Sequence, residues 1–332
     1  MIEQRNVKNS PRSLEDNLTI ELPYTWLLLE DASLLRDLLG SIRSYGSFPC
    51  DWNGGRPFTI DAQEIYVGEG INDTLLNRGG SLDNIESVGR QLVPEIVKSL
   101  NDIGIPFYVT LSNIRPKKDG AIDEELFKFL ESLASWREDN GVIVAHPRIY
   151  AAVKSRFGKR LKYIASVTRF NLLPEDLKDY NMLDDERLYQ DFDRIVLRPE
   201  HVIQSLEPKS RIQGKDPLKG MDQKRKNKSI IIVNHSCRPH CPYQRRHYLD
   251  MIDVNHGAAQ EYKDKCKRGR DLLITREARD KLMESGFSNF KIGRTMFYLL
   301  DTLDLFPALA PVIPWQKAQL PKSEIQSSIV IP

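Results

Sequence analysis

The sequence predicts an α/β fold, a (β/α)8 TIM-type barrel that need not be regular, with an extension at each end. Three observations predict it: eight short β-rich runs, helical stripes between several of them, and no glycine-rich phosphate loop after any run. The runner-up is an open doubly wound sheet. Its dinucleotide-binding form needs G-x-G-x-x-G after a strand, and the glycines of "YVGEG" lack that spacing.

The predicted strands are Thr19–Leu22, Glu64–Gly68, Phe107–Leu111, Val142–Ala145, Lys162–Ser166, Arg194–Leu197, Ser229–Val233 and Phe290–Ile292. Apolar strands separated by helices belong to a parallel sheet covered on its faces. Between the second and third runs, Ile85, Val88, Leu92, Ile96, Leu100 and Ile103 make one helical face, with Gly104 in the C-cap place and Pro94 as an interruption. Next, Ile122, Leu126, Phe129, Leu130 and Leu133 form a second stripe that Asn140-Gly141 closes. A third helix reads from "PRIYAAVKSRFG", with Pro147 in the first turn and Gly158 past the end.

Residues 1–17 are expected to be a loosely ordered segment, 18–308 the barrel, and 309–332 a proline-punctuated tail. Within the barrel, Lys209–Lys228 carries eight basic and two acidic residues and reads as a long exposed loop.

Composition narrows the function classes. At 332 residues, 40% hydrophobic and 28% charged, the chain has the profile of a globular protein with a sizeable core. A formal charge of +2 excludes a uniformly basic coat for nucleic acid, though not a local patch. Four cysteines are too few for a disulfide scaffold. A reducing cytoplasm is therefore the expected compartment, and no apolar run is long enough to span a bilayer.

In a barrel, residues just past the strands' C-terminal ends converge on one mouth. Those positions are Glu69, Ser112, Asn113, His146, Thr168, Arg169, Arg198, Asn234 to Cys241, and Arg294. A cationic, amide-rich rim of this kind suits an anionic ligand bearing carboxylate or phosphate, with Asn113, Arg169, Arg198 and Asn234 as its binding groups.

The seventh run leads straight into "VNHSCRPHC". Cys237 and Cys241 are four apart, Cys266 follows twenty-five residues later, and His235, His240, His247 and His256 lie in the same region. Soft thiolates on one point suit zinc or an iron–sulfur cluster, and Arg238, Arg245, Arg246, Lys265 and Lys267 favour the thiolate form. The fourth ligand is left among Cys50, His235 and an exchangeable substrate. Inert buried thiols are the alternative. A radical-SAM C-x3-C-x2-C motif fails at Gln244.

Several patches resemble one family. "AQEIYVGEG", "VNHSCRPHC" and "GFSNFKIGR" resemble the entry strand, the cysteine-bearing strand end and the "KIEGR" signature of the peptidase U32-like proteins. "IPFYVTLSN", "GVIVAHPRIY" and "LKYIASVTRF" are similar to that family's successive strands, so the likeness runs from Ile60 to Leu300. The resemblance, that of a distant member, implies a (β/α)8-type barrel. It also implies kinship with collagenase-like peptidases, iron–sulfur enzymes that hydroxylate RNA bases, and anaerobic ubiquinone-pathway hydroxylases. Several of these hold a four-cysteine [4Fe–4S] cluster. By resemblance, Cys237 and Cys241 fall where family cluster ligands lie and Cys266 is a third, Lys291 and Arg294 match the signature cations, and Glu69 matches an acidic residue of some members. "KIGR" lacks the signature's glutamate, and Cys50 precedes the entry strand, whereas some relatives carry an early cysteine after it.

Three functions are expected from these residues. The first is an oxygen-independent oxidoreductase or hydroxylase in which a cluster acts beside Arg169, Arg198 and Arg294, with His235 or Glu69 moving protons. Its substrate would be an anionic small molecule or RNA, and an electron-donor partner is implied. The second is hydrolysis, by zinc-activated water or as a U32-type peptidase. The third is a non-catalytic module binding RNA or protein through Lys209–Lys228 and "KCKRGR" at Lys265–Arg270.

Overall fold

The computed structural model describes residues 18–23, 58–64, 97–98, 101–102, 106–111, 124–172, 182–233 and 274–291. The strands are β1 Leu18–Pro23, β2 Phe58–Glu64, β3 Phe107–Leu111, β4 Gly141–Val144, β5 Lys162–Ala165, β6 Arg194–Val196, β7 Ser229–Ile232 and β8 Asn289–Lys291. The described helices are α1 Glu124–Trp136, α2 Pro147–Phe157, α3 Glu186–Asp191, α4 Pro199–Leu206, α5 Gln223–Lys228 and α6 Arg276–Glu284. The chain is thus an α/β protein with a parallel sheet.

Each strand pairs in parallel with its sequence neighbour, and β1 pairs with β8 to close the ring. One circuit through the register pairs returns to β2 displaced by eight residues. The six-strand arc from β3 to β8 is where side-chain packing is described.

Alternation along that arc makes two cores. Tyr108, Ile143, Ile164, Val196, Ile230 and Ile232 pack together on the concave side. Their neighbours Phe107, Val109, Val142, Tyr163, Ile195, Ile231 and Phe290 join the helices in the larger outer core. Burial on both faces explains why these strands read as apolar runs instead of alternating ones. Each fully buried aliphatic side chain contributes about 1.5–3 kcal/mol.

The helices follow from local chemistry. In α2, Ile149, Val153 and Phe157 are buried at four-residue spacing, and Pro147 supplies a preset φ in the first turn. Gly158 ends it at φ +56, a left-handed conformation that glycine adopts without cost, and its amide bonds Lys154 O. In α1 the buried face is Leu126, Phe129, Leu130 and Leu133, joined by Phe127. Gly141 then begins β4, and it must be glycine: a Cβ there would lie 2.3 Å from Lys162 O on β5.

Polar side chains lock the strands' N-terminal ends in pairs. Fully buried Asn140 accepts from Phe107 N at 2.8 Å, exchanges bonds with Asn101 and donates to Leu133 O. Asp193 accepts from Tyr163 N at 2.8 Å, and Asn289 donates to Asn227 O at 2.6 Å. Asn140 and Asp193 occupy equivalent places, each just before an even-numbered strand and bonded to the strand preceding it.

Two sequence expectations change. The second strand is described as Phe58–Glu64 where Glu64–Gly68 was expected, and residues 65–69 lie outside the described residues. Its alternation with Asp61 and Gln63 hides it, while "EIYVG" carries more β-favouring residues. The basic stretch 209–228 is not one open loop. It holds the 3-10 turn Ile212–Gly214 and α5, buries Leu218 and Met221, and is tied by Arg211 to Gln204 O, Ser205 O and Asp216. Because α5 runs directly into β7, these cations lie at the strands' N-terminal ends, away from the predicted mouth. Arg225 donates to Leu183 O, Lys226 to Ser285 O, and Lys228 to Tyr189 O and Phe192 O. Of the predicted helix 85–103, residues 97–98 and 101–102 are described as helical, with Val97 buried. The extensions 1–17 and 309–332 lie outside the described residues. No helix among the described residues is long and apolar enough to cross a membrane.

Asn140→Ala leaves Phe107 N–H and Leu133 C=O buried without partners, at about 1–3 kcal/mol each. We expect chemical denaturation to show a loss of about 3–5 kcal/mol, while Ser132→Ala on the exposed face of α1 changes stability by about 0.5 kcal/mol or less.

Candidate functional site

The C-terminal ends of β4 to β8 form the described part of the rim. At β4 the chain turns at His146, whose Nδ1 accepts from Arg148 N at 3.1 Å and caps α2. The ring proton therefore sits on Nε2. Burial first, then the Arg148 and Arg169 charges, hold this imidazole below its usual pKa.

β5 ends in a buried hydroxyl pair. Ser166 Oγ and Thr168 Oγ1 are 2.9 Å apart, and Thr168 N donates to Ser166 Oγ at 3.3 Å. These bonds start the 3-10 turn Val167–Leu172, which carries Arg169. The Arg169 guanidinium donates to Ala145 O at 3.2 Å and lies 5.3 Å from the Phe192 ring centroid. Phe192 belongs to the outer core, so these contacts draw Arg169 towards the helix layer.

β6 delivers Arg198, the N-cap of α4, followed by Pro199, Glu200 and His201. Arg198 Nε lies 3.6 Å from Glu200 Oε2, and the Glu200 side chain is 9% exposed. The carboxylate offsets the guanidinium at close range. His201 is half-buried beside Arg198. Desolvation first, then that positive charge, lower its pKa to about 4, so it is neutral near pH 7.

β7 and β8 meet in a clasp. Val233 N donates to Lys291 O, and Ile274 N donates to Val233 O, each at 2.9 Å. Residues 234–273, with Cys237, Cys241, Cys266 and four histidines, therefore leave and rejoin the fold at one point on this rim. Lys291 is half-buried, level in register with Ile232 on one side and Glu21 on the other, and Glu21 pairs in turn with Asp61.

Of the site residues expected from sequence, Lys291, Arg169 and Arg198 are described. Cys50, Glu69, Asn113, Asn234, His235, Cys237, Cys241, Cys266 and Arg294 lie outside the described residues. Among the described residues, no group of three or more His, Cys, Asp or Glu is arranged to hold a metal ion. Glu200 and His201 were missed by sequence reading. Their one signal is position: "PEH" follows the run "RIVLR" directly, where a helix entry meets a strand end.

No family model matches the chain, and no curated protein matches it. Among solved structures it is similar to the U32 peptidase Mk0906, with a TM-score of 0.47 and 15% identity over 88% of this chain and 98% of that one. It is also similar to tryptophan synthase from M. tuberculosis, with a TM-score of 0.33 and 10% identity over 90% and 91% of the two chains. Both are likenesses of distant fold.

The neutral state of His201 sets a pH dependence. Its folded pKa lies below the unfolded value, so the unfolded chain takes up the proton first as pH falls. Its contribution is complete above about pH 6.5 and is lost progressively towards pH 4. We expect urea midpoints to fall over that window. Discounted for partial exposure, the His201 share is about 2 kcal/mol, and His201→Gln should flatten the profile by that amount.

Proposed function

We propose that the chain is a U32-like (β/α)8-type barrel enzyme that holds a cysteine-ligated iron–sulfur cluster at its mouth. It would act there as an oxygen-independent oxidoreductase or hydroxylase on an anionic or RNA-linked substrate. The eight-residue stagger of the closed parallel sheet supports the barrel reading, because eight strands with a shear of eight define that architecture.

The observation that carries the functional reading is the clasp at Val233. Both ends of the cysteine segment are fixed within one hydrogen bond of each other at the strands' C-terminal ends. The donor set fits the group, since three thiolates in one segment, with Cys50 or His235 as a fourth ligand, are soft donors of the kind clusters take. When bound, a cluster supplies single electrons. The chain's own part is to hold and orient the substrate and to move its protons.

In this reading Lys291 and Arg294 provide the fixed positive charge, and Asn113 and Asn234 donate to substrate oxygens. His235 or Glu69 exchanges the proton. Arg198 contributes less cationic field than a bare guanidinium, because Glu200 stands 3.6 Å away.

Anaerobic purification followed by iron, acid-labile sulfide and zinc assays is the test. A brown protein with iron and sulfide, lost in both Cys237→Ser and Cys241→Ser, is the expected result. Zinc without sulfide would replace this reading with metal-activated hydrolysis. Neither metal, or full retention in both variants, would remove the centre altogether.

A further inference from the structure

We infer that the folded stretch Lys209–Lys228 is a docking surface for the phosphate backbone of a nucleic-acid duplex, on the end of the barrel opposite the mouth. Charge distribution carries the inference. The stretch holds eight basic and two acidic residues, a formal +6, whereas the whole chain carries +2, so all other residues together sum to −4. The positive charge is concentrated in one short segment of a chain that is otherwise mildly acidic.

Pairing then decides which cations remain. Asp216 meets Arg211 at 3.1 Å, while Asp222 and Glu186 meet Arg225 at 3.6 and 3.4 Å. Lys226 and Lys228 donate to main-chain carbonyls. Lys209, Lys215, Lys219 and Lys224 are left, all exposed, and their ammonium groups enter no ion pair or hydrogen bond among the described residues. Buried Leu218 and Met221, together with α5, give the segment a fixed shape. Charges presented on a folded segment lose less entropy on binding than those of an open loop.

Chemistry selects the partner. The forked arginines, which suit carboxylates, are already used. The lysines left over are hydrated point charges, which suit phosphates repeated along a chain. No aromatic residue lies between Lys209 and Lys228, so the unstacked bases of a single strand have nothing to lie on. A duplex keeps its bases stacked and presents its phosphates. An anionic membrane fits less well, because Leu218 and Met221 are buried and offer no apolar face to lipid.

The cysteine segment leaves the fold at the other end, so this surface and the metal centre can fail separately. The test is fluorescence anisotropy of the full-length protein with a labelled RNA hairpin and a DNA duplex of equal stem length, titrated between about 50 and 200 mM salt. At least one of the two should bind, with log affinity falling against log salt at a slope of about −3, as three or four phosphate contacts give. Binding to both reads as recognition of phosphate alone, and preference for one reads as recognition of its helical form. Lys209→Gln, Lys215→Gln, Lys219→Gln and Lys224→Gln combined should abolish the slope, whereas Lys→Arg at the same four positions should retain it. Should the combined Gln variant fail to fold, each single change should reduce the slope by about 0.9. The proposal falls if neither duplex binds at about 50 mM salt, or if the Gln variants keep the wild-type slope. It also falls if poly-glutamate or phosphatidylserine vesicles bind and the duplexes do not.

Discussion

Closure of the parallel sheet is the constraint on which everything else hangs. A parallel strand leaves its neighbour only through a crossover, so every connection must travel along the outside and return to the same end. Closing the ring with β1 on β8 then divides the molecule into two kinds of surface. At the strands' N-terminal ends the work is adhesive. Asn140, Asp193 and Asn289 spend their side chains on main-chain groups of the preceding strand or its entry, and Arg225, Lys226 and Lys228 spend theirs on neighbouring turns. The opposite ends carry the hydroxyl pair after β5 and, after β6, the turn with the Arg198–Glu200 ion pair and His201.

That division reassigns the basic residues. Read along the chain, Lys209–Lys228 and the rim arginines look like parts of one cationic feature. In the fold they serve different ends. The former sit at the entry to β7 with several of their donors taken by carbonyls, while Arg169 is drawn onto Ala145 and Phe192, and Arg198 onto Glu200. A cation with a carboxylate at 3.6 Å retains little long-range field.

What was legible in the sequence follows from what burial does to composition. β3, β4, β5, β6 and β7 could be read because strands covered on both faces become continuous apolar runs. α2 could be read because Pro147 and Gly158 mark its ends chemically. β2 was misplaced because Asp61 and Gln63 break its apolar character. Leu218 and Met221 anchor the basic stretch, yet two isolated apolar residues have no period to detect. Glu200 and His201 were invisible for a related reason. Their significance is that a carboxylate and an imidazole lose solvent together, which depends on how α4 packs and not on any spacing.

The clasp at Val233 ties β7, β8 and the entry to α6 together. Its amide is held by the Lys291 carbonyl, and its carbonyl accepts from the amide of Ile274, the first described residue after 234–273. A shift in either partner moves the other through one residue whose own side chain is fully buried. Tight core packing resists such a shift, because a buried valine has no room to pivot without opening a cavity. The origin of the cysteine segment is therefore as rigid as the sheet.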